Sequence, residues 1–156
     1  MFSYGPKSNE QLATVDEKLQ RVMRLAIQKS TIDWSILEGV RTLERQYNLY
    51  AKGRTAAELR AAGVPARIIA QPSEHKVTWT LKSKHFPPAG STIGRAVDVG
   101  VSPYDPNAPG SKYVQIKEFV FAAAAELGIK IRWGGDWDQD GKTEHGEDDF
   151  GHFELA

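Results

Sequence analysis

Cysteine is absent from the 156 residues, so disulfides and thiolate metal sites are both excluded, and any zinc would have to be held by histidine and carboxylate. Net charge is absent as well. The 20 basic and 20 acidic side chains cancel, leaving no overall positive field to draw in nucleic acid or an anionic membrane. No stretch approaches the roughly 20 apolar residues of a membrane span, so membrane insertion is not expected. Residues Met1 to Glu10 are polar and lack the apolar core of a signal peptide. The expectation is a protein made in the cytoplasm that reaches an outside target only when something else releases it. Internal repeats and low-complexity tracts are also missing.

What is present is ordinary for a globular chain: 40% hydrophobic and 26% charged residues, enough to build a core without a partner. We read one domain over residues 1–156, working as a monomer. Ser8 and Gln11 offer a capping box, and Leu12, Val15, Leu19, Val22 and Ala26 recur at helical spacing, which predicts a helix over about 9–29. Trp34 to Val40 suits a short strand. Thr42 caps a second helix to about Ala51, and Thr55 with Glu58 caps a third that ends at Gly63. Val64 to Thr80 has no clear period and reads as a long excursion. Further strands are expected over Ile93–Val101, Ile129–Trp133 and His152–Leu155, with a helix over Ser111–Leu127 closed by Gly128. That order predicts an α+β fold with a small antiparallel sheet packed by helices.

Four histidines exist: His75, His85, His145 and His152. A catalytic zinc site takes three protein ligands and leaves a fourth position to water, so the ligands must come from these and the carboxylates. Two segments stand out. One is Ser83-Lys84-His85 followed by Gly94-Arg95-Ala96-Val97-Asp98, and the other is Asp149-Phe150-Gly151-His152-Phe153-Glu154.

These residues resemble the D-alanyl-D-alanine carboxypeptidase-like zinc peptidases, and within them the L-alanyl-D-glutamate endopeptidases used as phage endolysins. The family pattern is Ser-x-His-x-x-Gly-x-Ala-x-Asp, then an acid three residues before a histidine in a Gly-His-x-Glu context. Ser83, His85, Gly94, Ala96, Asp98, Asp149, His152 and Glu154 match it, and the likeness extends to Glu38–Thr42 and Trp133–Trp137. One departure is an insertion: Phe86 to Ile93 makes eight residues where the family has two, with Pro87, Pro88 and Gly90 suited to a bulging loop.

The resemblance implies that His85, Asp98 and His152 bind zinc, with His75 the nearby substitute for the first ligand. It implies that Asp149 is the general base, with Asp148 its rival. Arg41 is implied to grip a substrate carboxylate or to stabilise the oxyanion, and the sequence leaves both roles open. Residue spacing agrees: Ala96 and Asp98 share one strand face, as do His152 and Glu154, and Asp149 lies in the turn before His152.

The function implied is cleavage of the L-alanyl-D-glutamate bond in the peptidoglycan stem peptide. The alternatives are a D-alanyl-D-alanine dipeptidase or carboxypeptidase and a non-catalytic zinc- or calcium-binding module. Calcium enters through Asp136, Asp138, Asp140, Gly141 and Glu147, which fall at positions 1, 3, 5, 6 and 12 of a calcium-loop pattern. No amphipathic helix flanks that loop, so a solvated acidic turn is the competing reading.

Overall fold

The computed structural model describes residues 1–156. Two helices, rather than one, open the chain: α1 over Pro6–Leu12 and α2 over Glu17–Lys29. Ser8 does not cap α1. It is buried inside it, and its hydroxyl accepts from the Ile36 amide. The chain leaves the helix at Ala13 because the backbone of residues 14–16 is needed elsewhere. Gly94 N–H donates to the Thr14 carbonyl, and Asp16 N–H donates to the Gly94 carbonyl. The Asp16 side chain then accepts from the Lys18 amide and restarts the helix. Leu19, Val22, Met23, Ala26 and Ile27, at i, i+3 and i+4 spacing, give α2 its buried stripe.

After α2 come β1 (Trp34–Glu38), α3 (Leu43–Ala51), α4 (Ala56–Ala61), β2 (Ala96–Val101), α5 (Gly110–Leu127), β3 (Ile131–Trp133) and β4 (His152–Leu155). The expected strands begin or end later and earlier than the sequence suggests: β1 stops before Val40, β2 starts at Ala96 and β3 at Ile131. Thr42 caps α3, and Thr55 with Glu58 forms a reciprocal capping box on α4. Gly128 closes α5 with a left-handed φ of 67°.

The four strands form an antiparallel sheet in the order β1-β2-β4-β3. Period-two alternation divides its faces. Trp34, Ile36, Val97, Val99, Ile131, Trp133 and Phe153 join α2 and α5 in one hydrophobic core. Burying each large apolar side chain there contributes about 1.5–3 kcal/mol before conformational entropy is subtracted. The opposite face carries Asp98, His152, Glu154 and Arg132 toward a cavity.

The long excursion after α4 is held by a smaller cluster of Ala51, Leu59, Val64 and Ile68. Two polar side chains fasten its far end. Buried Gln46 donates to the Thr80 carbonyl at 2.6 Å, and buried Arg54 donates to the Tyr50 and Thr78 carbonyls at 2.7 and 3.0 Å. Val77, Thr78, Thr80 and Lys82 thereby form one wall of the cavity. No helix is long and apolar enough to cross a membrane.

Candidate metal centre and its cavity

The register of β2 against β4 sets Asp98 directly opposite His152 and Ala96 opposite Glu154. All four therefore share the cavity face, and the small Ala96 leaves that face open. His85 arrives from outside the sheet, on the segment between the excursion and the inserted loop. Its amide donates to the Ser83 hydroxyl, and its carbonyl accepts from the Arg41 amide.

One ligand atom from each of His85, Asp98 and His152 lies within 4.8 Å of the others. The imidazoles are held so that the nitrogen of each facing Asp98 is available. His85 is 1% exposed and its Nδ1 donates to the Gly39 carbonyl at 2.6 Å. Its Nε2 sits 3.2 Å from Asp98 Oδ1, yet the angle is not that of a hydrogen bond, and the nitrogen is buried without a partner. His152 mirrors this arrangement. Its Nε2 donates to Glu154 Oε2 at 2.8 Å, and its Nδ1 faces Asp98 Oδ1 at 3.2 Å. Two histidines with their outer nitrogens tied to oxygen acceptors and their inner nitrogens aimed at one carboxylate suit a metal ion. The orphaned Nε2 of His85 is the observation that tests this fit, because a buried nitrogen without a partner is costly unless something occupies its lone pair.

Gly39 is required by this geometry. A Cβ there would lie 2.3 Å from Thr14 Oγ1 and 2.4 Å from the Gln11 carbonyl oxygen. The carbonyl that orients His85 is thus wedged against the turn between α1 and α2.

Charges around the three groups are arranged in layers. Burial opposes charge on Asp98, but the hydrogen bond from His152 and the charge of the two imidazoles beside it hold its carboxyl well below the usual range. Burial likewise opposes charge on His152, and its bonds to Asp98 and Glu154 outweigh that, raising it to about 9 in the metal-free protein. Glu154, buried beside His152, is kept ionised down to about 2 by His152 and by Arg132, whose Nε donates to it at 2.9 Å. Lys84 lies 3.6 Å from the same carboxylate.

Arg41 is anchored rather than free. Its Nε and Nη2 clasp both oxygens of Glu38 at 3.2 and 2.8 Å, Nη1 donates to Gln46 at 2.9 Å, and Nη2 also reaches Asp98 Oδ2 at 3.1 Å. Four of the five guanidinium N–H groups are therefore engaged.

Asp149 stands beside the cluster, with Oδ2 3.9 Å from His152 Nδ1 and 57% of its side chain exposed. Its carboxyl is raised: loss of water in the cavity wall acts first, and the Asp98 charge adds to it against the pull of His152, His85 and Arg41. Asp148 is exposed and does not line the cavity. His75 and His145 are exposed and lie outside the cluster.

In the acidic loop, carboxylate oxygens of Asp136, Asp138 and Glu147 lie within 4.8 Å of one another, while Asp140 is outside this group. Buried Glu147 accepts from the amides of Trp137 and Glu144, at 2.7 and 2.8 Å. Asp136 accepts from Asp140 and Gly141, each at 3.0 Å.

Some neighbours of the site are not assigned a role by the sequence. Trp137 places its ring 5.2 Å from that of His152, and the Arg132 guanidinium lies 5.3 Å from the centre of the same indole. Gln46, which holds Arg41 together with Glu38, lies outside every motif in the sequence. Alternation along Ile131-Arg132-Trp133 does put Arg132 opposite the core, but what it faces depends on strand pairing.

The family described as phage L-alanyl-D-glutamate peptidase matches residues 1–79 and 66–156 of the chain. The chain is 32% identical over 164 residues to the L-alanyl-D-glutamate peptidase of Escherichia phage T5, covering 99% of this chain and 98% of that protein. The crystal structure of the Serratia marcescens L-Ala D-Glu endopeptidase ChiX superposes with a TM-score of 0.63 at 29% identity, covering 99% of this chain and 90% of that one. The fold, the match along the whole length and the likeness to these enzymes agree: the chain belongs to the phage L-alanyl-D-glutamate peptidase family.

Proposed function

We propose that the chain is a zinc-dependent peptidoglycan endopeptidase that cleaves the L-alanyl-D-glutamate bond of the stem peptide, in the manner of a phage endolysin. The observation that carries this reading is the convergence of His85, Asp98 and His152 beside Asp149 on one wall of a cavity of about 580 Å³, in a chain of this family. His85 Nε2, Asp98 and His152 Nδ1 would hold the zinc. When bound there, zinc polarises the peptide carbonyl and lowers the pKa of the attacking water toward about 7.

The chain's own groups do the rest. Asp149 Oδ2 accepts the proton of the attacking water and returns it to the leaving amine nitrogen. Its raised pKa makes it a better proton donor in that second step than an ordinary aspartate. Arg41 retains one N–H on Nη1, enough to stabilise the carbonyl oxygen as charge develops but not to grip a carboxylate through two bonds. Glu154 and the Gly39 carbonyl hold the two imidazoles in the required orientation.

The test is digestion of purified peptidoglycan followed by mass analysis of the fragments. New N-terminal D-glutamate is the expected product. Released D-alanine instead would assign the chain to the D-alanyl-D-alanine carboxypeptidase activity. The same reading has the enzyme made in the host cytoplasm, reaching the wall after release and acting as a monomer.

The acidic loop extends the proposal to a second metal. Asp136, Asp138 and Glu147 cluster their oxygens, and Glu147 lies two residues before Asp149, which supports a calcium ion that orders the approach to the base. Calcium titrated into zinc-loaded protein should produce a heat signal and a rise in rate, and Asp138→Ala should remove both. Silence in both readouts would leave the loop a solvated turn.

A further inference from the structure

The cavity is lined by six cationic side chains and four carboxylates, an imbalance that favours an anionic ligand. Most of these cations already have partners. Arg41 and Arg45 share Glu38, while Arg132 and Lys84 share Glu154. The two remaining are Lys82, which is exposed to water, and Arg95. Arg95 has no carboxylate within ion-pair distance, no hydrogen bond from its guanidinium, and an Nε that is buried without a partner. Leaving the buried Nε unmet is costly, and the terminal N–H groups, unbonded and facing the cavity, are open to an acceptor that comes from outside.

The backbone at Arg95 is fixed. Its amide donates to the Lys84 carbonyl at 2.7 Å, and its carbonyl accepts from Leu155 at 3.0 Å, so the residue is clamped between the His85 segment and β4. It lies in the bend just before β2, and its side chain lines the same cavity as Asp98 and His152. A side chain whose backbone is held in place, in the wall of the same cavity as Asp98, Asp149 and His152 and lacking a partner, is suited to reading the substrate.

The chemistry of the substrate supplies the acceptor. Glutamate has two carboxyl groups, and the peptide can continue through only one of them, so the other stands free close to the cleaved bond. Arg41, with a single N–H left, cannot grip it through two bonds, whereas the Arg95 fork can.

We propose that Arg95 is the specificity residue that receives the free carboxylate of the D-glutamyl residue. This rests on the L-alanyl-D-glutamate reading of the site.

The experiment compares two synthetic stem peptides that differ only at this group, one with a carboxylate and one with a carboxamide. The wild-type enzyme should prefer the carboxylate by on the order of tenfold to a hundredfold in kcat/KM, the range of a charge-assisted hydrogen bond. Arg95→Gln should erase that preference, chiefly through KM, with metal content and thermal unfolding measured to show that the protein is folded and loaded. Arg95→Lys, which keeps the charge without the fork, should retain part of it. If Arg95→Gln discriminates as the wild type does, or if the wild type favours the carboxamide, the subsite is overturned. If the wild type cleaves neither peptide between alanine and glutamate, the functional reading fails and the subsite with it.

Discussion

Asp149 and Glu154 are both carboxylates within reach of His152, yet their surroundings drive them in opposite directions. Asp149 is raised, chiefly by loss of water, while Glu154 is held down to about 2 by His152 and Arg132 despite its burial. Divergence of this kind separates a group that exchanges protons from one that keeps its charge. Asp149→Asn should therefore retain metal by elemental analysis and lose about a hundredfold or more in rate. Glu154→Gln should act on the metal instead, weakening its affinity by about ten- to a hundredfold in a chelator competition. The convergence of His85, Asp98 and His152 was legible from motif spacing, and the shared face of His152 and Glu154 from period two. Arg132 as the partner of Glu154 was not, because which strand lies beside β4 is a property of the assembled sheet. That Asp149 and not Asp148 lines the cavity is likewise decided by a turn, where side-chain direction has no period.

Among the elements, those whose ends carry their own chemistry were read closely: Thr42, Thr55 with Glu58, and Gly128 bound α3, α4 and α5 through local capping bonds. The single helix expected over 9–29 fails for a non-local reason. Its apolar spacing continues through Val15, but Thr14 and Asp16 bond to Gly94, some eighty residues away, and this interrupts the helical ladder. The break also serves the cavity. Thr14 Oγ1 accepts from the Val40 amide and Gln11 Oε1 from the Gly39 amide, which positions the carbonyl that holds His85. Gly39→Ala should force this junction apart, costing about 1–3 kcal/mol in denaturant unfolding, and lowering metal content in the same sample. Normal stability and full metal content would show that the junction yields freely. The insertion after His85 behaves as its composition suggests: Ala89 to Ile93 is exposed and Gly90 takes a left-handed φ of 78°.

Over the whole molecule, the metal-facing cluster makes stability depend on pH when no metal is bound. His152, raised from 6.5 to about 9, contributes stability fully below 6.5 and loses it as pH rises through 9. Glu154, lowered from 4.5 to about 2, contributes above 4.5 and loses it as pH falls toward 2. Asp98 acts in the same sense as Glu154, whereas Asp149, being raised, opposes stability once it ionises. The metal-free protein should thus draw most from the His152–Glu154 pair between pH 4.5 and 6.5, and thermal unfolding should show a decline toward pH 9. Metal should flatten the alkaline limb, since it takes the place of the proton that His152 gives up. A flat alkaline limb without metal would contradict the arrangement. The facing positions of Asp98 and His152 on β2 and β4 carry one more consequence. Sliding either strand by a single residue would turn one of these side chains into the core, so a bound ion reports correct strand alignment and acts as a rivet across the seam. Amide hydrogens along that seam, at Val97, Val99 and Phe153, should exchange more slowly after metal is added, while those of α4, far along the chain and in its own small cluster, should keep their pace.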